Sequence, residues 1–483
     1  MKKIREKYKD LPIPIKAGLW FMICSILQSG LSIITVPIFT RILDVKEYGL
    51  YSTYVSWESI IIILITLRLD YTIFNKGMSK YKDNRNGYVA SMQIITTITT
   101  IFIMLLYFIF RFIINNITEL STGIMILMII QAGLYPALNF WIIKNRYEYN
   151  YKLFVIISLG LVIINTIVGI ICVLLINGNN GIIRIVSYAI VNILFSLVLY
   201  CINFKNGLHN YKLEHIKYAI LFNIPMIPHY LSTYILNQSD RIMIQKMTNK
   251  SNVGIYNVSY NAGMIMTIVS TSVINALTPW YYQKFDENKI KDVSCLFLPL
   301  TICITLPIFV FILFAPEALK ILATKSYYES IYIIPPVSAS IIFIFMYSFF
   351  STAEFYYDKN KFSILISSIA AIINIIMNFI FIKLFDYRAA GYTTLISYFI
   401  LSTGHFVYAN KIIKKNNNNY FVNYKEYFLI SLIIFIYIIF SCFLYNYTML
   451  RYLIALIIIF VLIKNRKKII NIFKEIKVKK KRC

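Results

Sequence analysis

Charge-free apolar runs recur along the whole chain, and they constrain its fold more than any other feature. Examples are the runs at 17–40, 86–110, 120–143 and 293–316. A helix that crosses a lipid bilayer needs about 20 apolar residues. Inside the bilayer the backbone polar groups can be satisfied only by helices or by closed barrels. The sequence therefore predicts an all-α polytopic membrane protein with about 14 transmembrane helices.

The charge balance agrees with a membrane protein. The chain is 59% hydrophobic and 14% charged, which excludes an ordinary soluble globular domain. The net charge of +27 could suggest a nucleic-acid partner, but the basic residues are concentrated in alternate segments between the apolar runs. This distribution follows the positive-inside rule if both termini are cytoplasmic. We therefore expect no nucleic-acid partner, and we expect the basic tail to face anionic lipid headgroups.

A motif in the first part of the chain returns about 200 residues later, which predicts a tandem duplication. Thr40-Arg41-Ile42-Leu43 precedes Gly49-Leu50-Tyr51, and Ser239-Asp240-Arg241 precedes Gly254-Ile255-Tyr256. Arg41 therefore matches Arg241, and both are candidates for cargo binding at the interface of two repeats. The predicted segments are an N-lobe with helices 1–6 (1–202), a cytoplasmic linker (203–216), a C-lobe with helices 7–12 (217–413), helices 13–14 (414–465) and a basic cytoplasmic tail (466–483).

Polar residues in the first span share one helical face. Ser25, Gln28, Ser32 and Thr35 follow the spacing i, i+3, i+7 and i+10. Polar groups that faced lipid tails would lack partners, so this stripe is expected to face protein or a water-filled cavity. Gln28 and Ser32 are therefore candidate cavity residues, and hydrogen bonding between helices is the alternative.

The seventh span begins with a polar and proline-rich segment. Pro225 and Pro228 are expected to kink or break the helix, because each removes a backbone donor. The candidate cavity residues of this span are Asn223, His229, Tyr234 and Asn237, with the alternative that His229 is a hydrogen-bonded interior histidine.

Ionisable residues are predicted inside the second span, where each costs a few kcal/mol. Arg68 is a candidate for binding an anionic cargo, and a structural ion pair with another helix is the alternative. Glu58 and Asp70 are candidates for ion coupling, although a protonated Glu58 could also be buried as a structural group.

No pattern in the sequence predicts a metal site, a cofactor or an enzyme active site. The seven cysteines form no C-x-x-C pair, and the four histidines have no catalytic spacing. A Walker-type phosphate loop is also absent from the sequence.

The repeated motifs, together with Asn374-x3-Asn378 and Ala389-Ala390-Gly391-Tyr392, resemble the polysaccharide transporter branch of the MOP exporter superfamily, the Wzx-type flippases. The resemblance implies a multi-pass protein of the bacterial inner (cytoplasmic) membrane with two six-helix lobes around a central cavity. It also implies export of an undecaprenyl-diphosphate-linked oligosaccharide for O-antigen, capsule or exopolysaccharide by alternating access. The implied partners are this lipid-linked substrate, membrane lipids and other polysaccharide-assembly proteins.

Three alternative classes of membrane protein fit the residues less well. Multidrug exporters of the MATE branch usually have twelve helices and prefer cationic cargo, which arginines do not suit. Lipid II flippases typically continue the first loop with a glycine and a second arginine, whereas Arg41 here is followed by Ile42-Leu43-Asp44. Membrane-embedded polysaccharide polymerases typically need a large external loop, and no such loop is predicted. The flippase family often has glycine near position 68, where this chain has arginine.

Overall fold

The structure is a computed structural model that describes residues 13–357, 359–417 and 420–464. Every regular element in these ranges is a helix. Eleven helical segments among the described residues are long and apolar enough to cross a membrane. These observations confirm the prediction of an all-α polytopic membrane protein. The basic tail predicted at 466–483 lies outside the described residues.

The chain divides into two compact units, Met1–Tyr234 and Ile235–Cys483. Apolar clusters stabilise the first unit, and the larger ones lie around Tyr54 and Met128 and around Phe74 and Phe140. Its helices are α1 (Ile13–Ile42), α2 (Val45–Thr66), α3 (Thr72–Lys80), α4 (Arg85–Thr118), α5 (Thr122–Tyr147), α6 (Tyr151–Leu175), α7 (Asn180–Gly207), α8 (Leu213–Asn223) and α9 (Ile227–Met247), which contains the boundary.

The second unit has one large apolar core. Its helices are α10 (Lys250–Gly263), α11 (Thr267–Asp286), α12 (Ile290–Ser294), α13 (Phe297–Leu313), α14 (Ala315–Leu322), α15 (Ile334–Tyr356), α16 (Asn360–Phe385), α17 (Ala389–Asn417), α18 (Tyr424–Leu444) and α19 (Thr448–Lys464). The apolar stretch of α15 is 83% buried, more than that of any other candidate span. Tyr427 and Ile434 of α18 belong to the same core, so the last helical pair is packed into this unit.

Three further predicted spans coincide with helices of lower apolarity or shorter length. They correspond to α10 with α11, to α17 and to α19. A 3-10 turn at Met264–Met266 separates α10 from α11, and α19 is only 17 residues long. Polar residues such as Thr393 and His405 lower the apolarity of α17. The count of fourteen spans stays a prediction.

Local chemistry explains where several helices begin and end. Glu47 caps two of them, because its Oε2 accepts from the Asp44 N–H at 3.0 Å and its Oε1 accepts from the Asn180 N–H at 3.0 Å. It thereby satisfies donors at the beginning of α2 and of α7. The expected proline break is confirmed, since α8 ends at Asn223 and a 3-10 turn at Ile224–Met226 separates it from α9.

Candidate functional site

The second span ends before Arg68, which contradicts the prediction that Arg68 lies inside it. Helix α2 ends at Thr66, and Leu67 and Arg68 adopt left-handed conformations with φ of 47° and 53°. Such conformations cost an L-residue roughly 1–2 kcal/mol, and they persist where surrounding contacts hold them. Arg68 therefore lies in a tight break between α2 and α3, beyond a helix of full spanning length.

Hydrogen bonds hold this break in place. The Thr66 side chain accepts from the Arg68 N–H at 3.0 Å, and the Thr66 carbonyl accepts from the Leu69 N–H at 2.9 Å. The Leu67 carbonyl accepts from the side-chain amide of Asn223, the buried last residue of α8. The break after α2 is thus tied to the proline break between α8 and α9. Carbonyls released by broken helices need such partners.

Three tyrosines surround the Arg68 guanidinium. Its Cζ lies 4.8 Å from the ring centroid of Tyr71, 5.6 Å from that of Tyr230 and 5.4 Å from that of Tyr234. These distances are within cation–π range. Arg68 Nη1 also donates to the Tyr234 hydroxyl at 3.4 Å, while its buried Nε has no hydrogen-bond partner among the described residues. Neutral rings thus position the guanidinium, and Asp70, two residues later, interacts with it electrostatically.

Hydrogen-bond acceptors also lie at the two helix breaks near Arg68. Asp70 is buried, and its Oδ2 accepts from Asn139 on α5 at 2.9 Å. In the described part of the chain, Asp70 Oδ1 and Asn223 Oδ1 are buried without a hydrogen-bond partner. His229 is also buried, with its ring 5.8 Å from that of Tyr230. The candidate site, which we call the Arg68 break, therefore consists of Arg68, Asp70, Asn223, Tyr71, Tyr230 and Tyr234.

Glu58 belongs to a separate network in the first unit. It is 4% exposed, and its Oε1 accepts from Gln131 Nε2 at 2.5 Å. Gln131 Oε1 in turn accepts from the Tyr54 hydroxyl at 2.7 Å. The eight residues from Glu58 to the end of α2 span about 12 Å. The structure therefore does not bring Glu58 together with Arg68.

Arg41 lies at the other end of α2 from Arg68. It is exposed, and its Nη1 donates to the Pro37 carbonyl at 2.7 Å. Because α2 has 22 residues, its two ends are about 33 Å apart. A single clamp that contains both arginines is therefore excluded in this structure.

The polar stripe of the first span is satisfied by local and interhelical hydrogen bonds. Gln28 Nε2 donates to the Ser158 carbonyl of α6 at 3.1 Å. The Ser32 hydroxyl donates to the Gln28 carbonyl one turn earlier at 2.9 Å, and the Ser25 hydroxyl donates to the Phe21 carbonyl at 3.0 Å. The Gln28 contact is interhelical, as the alternative expects, whereas the two serine contacts lie within α1. The cavity role of Gln28 and Ser32 stays a prediction.

Arg241 repeats the local geometry of Arg41 but lies in a different environment. Its Nη1 donates to the carbonyl of Asn237, four residues earlier, at 2.5 Å, as Arg41 does to Pro37. Arg241 is 4% exposed, its Nε donates to Asn257 Oδ1 at 2.8 Å, and its Cζ lies 4.1 Å from the Tyr260 ring centroid. The Tyr398 hydroxyl donates to Asn237 Oδ1 at 2.9 Å. Arg241 and Asn237 therefore help to connect the helices of the second unit.

Sequence reasoning missed that Asp240 is the centre of a buried network. Its Oδ2 accepts from Tyr256 at 2.6 Å and from Thr394 at 2.7 Å, and its Oδ1 accepts from Asn378 at 2.7 Å. Asn378 also donates to Asn374 at 3.2 Å. The network joins α9, α10, α16 and α17. The signal was available, because all of these residues except Thr394 belong to the quoted motifs.

Arg184 was also missed. This buried arginine of α7 has its Cζ 4.1 Å from the Phe39 ring centroid and 5.0 Å from that of Tyr51. Its Nη1 donates to Asn165 Oδ1 at 3.1 Å. No single sequence pattern links α1, α2, α6 and α7 at this point.

Among the described residues, no group of three or more His, Cys, Asp or Glu side chains is arranged to hold a metal ion.

Comparison with known proteins places the chain among polysaccharide biosynthesis proteins. A family model with that description matches residues 15–285. Lsg locus protein 1 of Haemophilus influenzae is 25% identical over 84 residues, which are 17% of this chain and 21% of that protein. The chain therefore aligns with only about a fifth of the length of this curated relative.

The fold is shared with two solved transporters. The lipid II flippase MurJ, in an inward closed conformation, superposes with a TM-score of 0.64 at 15% identity, covering 93% of this chain and all of MurJ. An inward-facing multidrug resistance MATE family transporter of the MOP superfamily superposes with a TM-score of 0.60 at 12% identity, covering 81% of this chain and 96% of that protein. At these identities the likeness shows the fold.

Proposed function

Because the chain belongs to the polysaccharide biosynthesis protein family, we propose that it is a flippase for an undecaprenyl-diphosphate-linked oligosaccharide. It moves the complete unit from the cytoplasmic to the outer leaflet of the bacterial inner membrane by alternating access, and both of its termini are cytoplasmic. It catalyses no chemical reaction. The glycan is the repeat unit of O-antigen, capsule or exopolysaccharide.

The arginine at the Arg68 break is the observation that carries this proposal. The diphosphate of the cargo is anionic, so its recognition needs a cation that stays charged. A guanidinium meets this requirement and can hold phosphate oxygens with two parallel hydrogen bonds. Arg68 is oriented by three tyrosine rings, and in the part of the chain that the structure describes no carboxylate lies at hydrogen-bond distance from it. An anion therefore does not have to displace an ion pair to bind it.

The acceptors at the same break suit the sugar part of the cargo. Sugar hydroxyls donate hydrogen bonds, and Asp70 Oδ1 and Asn223 Oδ1 are acceptors without a partner among the described residues. Interrupted helices commonly form substrate sites in transporters, because they place backbone groups and side chains at one point. We assign phosphate binding to Arg68, glycan contacts to Asn223 and Tyr234, and candidate ion coupling to Asp70 and Glu58.

The remaining sequence candidates receive supporting roles in this proposal. Their contacts include backbone carbonyls, neighbouring helices and, for His229, an adjacent ring, which suits them to hold the helices at the correct spacing. They are Gln28, Ser32, Arg41, His229, Asn237 and Arg241.

The test is an analysis of lipid-linked glycans in a strain that lacks this chain. Loss of a flippase leaves complete lipid-linked units on the cytoplasmic face, and the chain restores surface polysaccharide when it is supplied again. Accumulation of lipid II instead of complete oligosaccharide units would reassign the chain to peptidoglycan precursor export. Normal lipid-linked pools combined with increased drug sensitivity would reassign it to drug export.

A further inference from the structure

A carboxylate and an imidazole form a fully buried pair in the second unit, away from the residues considered so far. Glu354 of α15 and His405 of α17 are both 0% exposed, with Glu354 Oε1 and His405 Nδ1 2.8 Å apart. Glu354 Oε2 accepts from the Ser363 hydroxyl of α16 at 2.5 Å. His405 Nε2 is buried and has no hydrogen-bond partner among the residues that the structure describes.

Aromatic and hydroxyl side chains are among the groups around the pair. From α15, the Tyr347 ring lies 4.7 Å from the His405 ring. From α17, Tyr408 interacts electrostatically with Glu354, and α16 contributes the neutral Ser363. Helix α18 contributes Tyr427, whose hydroxyl is bonded to Ser402 and Thr403 of α17. Among the side chains that the structure describes, His405 is the one that pairs with Glu354 when it is protonated.

This composition distinguishes the pair from the other buried acids. Glu58 and Asp240 accept hydrogen bonds from amides and hydroxyls, whose protonation does not change at physiological pH. Histidine is the side chain whose ordinary titration range spans physiological pH. Burying a carboxylate with a neutral histidine leaves a net negative charge in a medium of low dielectric, which is unfavourable. One additional proton on His405 makes the pair neutral overall.

We propose that Glu354 and His405 form a proton-binding site that is loaded and unloaded during transport, which rests on the export function proposed above. The loaded state is a Glu354 carboxylate with a His405 imidazolium, and the unloaded state is the same carboxylate with a neutral imidazole. The proton leaves from Nε2 to water, while Nδ1–H keeps its hydrogen bond to Glu354. Loading and unloading change the charge at the junction of α15, α16 and α17 by one unit.

The pair lies near the ends of two helices. Glu354 lies two residues before the end of α15, and its carbonyl accepts from the Lys359 N–H in the following loop at 2.9 Å. Ser363 lies in the first turn of α16. In this proposal, opening of these two helix ends is the step that lets water reach His405 Nε2.

The first test measures protonation without any transport substrate. The full-length chain is purified in lipid nanodiscs with 15N-labelled histidine, and imidazole resonances are followed from about pH 5 to 8. The chain has four histidines, so the His405 signal is assigned by its loss in His405→Gln. We expect a His405 titration in this range that Glu354→Gln shifts to lower pH, because the anionic partner is removed. An invariant His405 signal, or one that Glu354→Gln leaves in place, overturns the proposal.

The second test measures export in cells with the pH gradient intact or collapsed by nigericin. We expect collapse to slow surface glycan appearance in wild type, and residual export by Glu354→Gln and His405→Gln to be insensitive to it. His209→Gln is the matched control, because it removes an exposed histidine that lies outside the pair. Equal nigericin sensitivity in wild type and both variants overturns the coupling role. If the proposed export function is wrong, lipid-linked units do not accumulate in the deletion strain. That outcome is distinguished from a failure of the proton-coupling proposal alone.

Discussion

The variant Arg68→Gly separates the charge of Arg68 from its backbone conformation. Arg68 has a φ of 53°, which glycine adopts without the roughly 1–2 kcal/mol that an L-residue incurs. The substitution also removes three cation–π contacts worth about 0.5–1 kcal/mol each at a partly exposed site. The three contacts together contribute about 1.5–3 kcal/mol, so the net loss is at most about 2 kcal/mol, and we expect Arg68→Gly to insert with only a modest fall in accumulation.

Export is expected to respond differently from stability. At an effective dielectric near 20, a contact between a guanidinium and a phosphate at about 4 Å contributes roughly 4 kcal/mol before desolvation is subtracted. If about a third of this remains, its loss lowers export about tenfold. We expect Arg68→Gly and Arg68→Ala to lose at least this much, and Arg68→Lys to recover part of it, because an ammonium keeps the charge without the bidentate geometry.

The assay quantifies surface polysaccharide and accumulated lipid-linked units in the deletion strain, with each variant expressed at the same membrane level. Arg111→Ala is the matched control, because Arg111 is an exposed arginine of α4 that lies outside the Arg68 break. Wild-type surface polysaccharide in Arg68→Gly would remove Arg68 from the site. Equal losses in Arg68→Gly and Arg111→Ala would show that the response reflects arginine removal in general.

The other predictions concern the C-terminal helix, the topology and the driving force. Arg451→Ala should destabilise the second unit by about 3 kcal/mol, measured by thermal unfolding in detergent, because buried Arg451 holds both Glu317 oxygens at 2.6 and 2.7 Å. Burial raises the pKa of Glu317, but hydrogen bonds from Arg451 and Tyr452 outweigh burial and lower this pKa overall. The stabilisation that comes from the lowered pKa is therefore present above about pH 4 and is lost on further acidification. Arg451→Ala should abolish this pH dependence of stability. Reporter fusions after residues 83 and 210 should report the cytoplasm and a fusion after residue 179 the outside, and a reversed pattern would contradict the assigned orientation. Collapsing the membrane potential should slow export, because moving two negative charges outwards gains roughly 5 kcal/mol per 100 mV; unchanged export would contradict this driving force.

Much of the fold could be predicted because hydrophobic length and proline chemistry act locally. The helix break at Pro225 followed from the missing backbone donor. The break at Leu67 and Arg68 could not be predicted, because neither glycine nor proline marks it and Leu67-Arg68-Leu69 is compatible with a continuing helix. Contacts from another helix stabilise this turn, chiefly the hydrogen bond from Asn223. Long-range support of this kind has no signature in a single sequence.

The same limit applies to the buried ionisable groups. Glu354 and His405 are 51 positions apart and lie on two different helices, so only their packing makes them a pair. Asp240 was visible in a repeated motif, but its partners Asn378 and Thr394 are contributed by α16 and α17. A sequence reveals which ionisable residues lie in apolar surroundings, whereas the assignment of their partners requires the packed structure.

The contacts of these buried charged residues divide them into two groups with different expected roles. Asp240 has hydrogen bonds to both carboxylate oxygens, and Arg451 binds Glu317 through two nitrogens. Breaking such contacts leaves an uncompensated charge, so variants of these residues are expected to lose folded protein before they lose export. Arg68, in contrast, is held by three tyrosine rings, and His405 Nδ1 is held by one hydrogen bond to Glu354. An anion at Arg68 and a proton exchanged with water at His405 are the transport partners proposed above, so variants at these two positions are expected to lose transport while the folded protein remains.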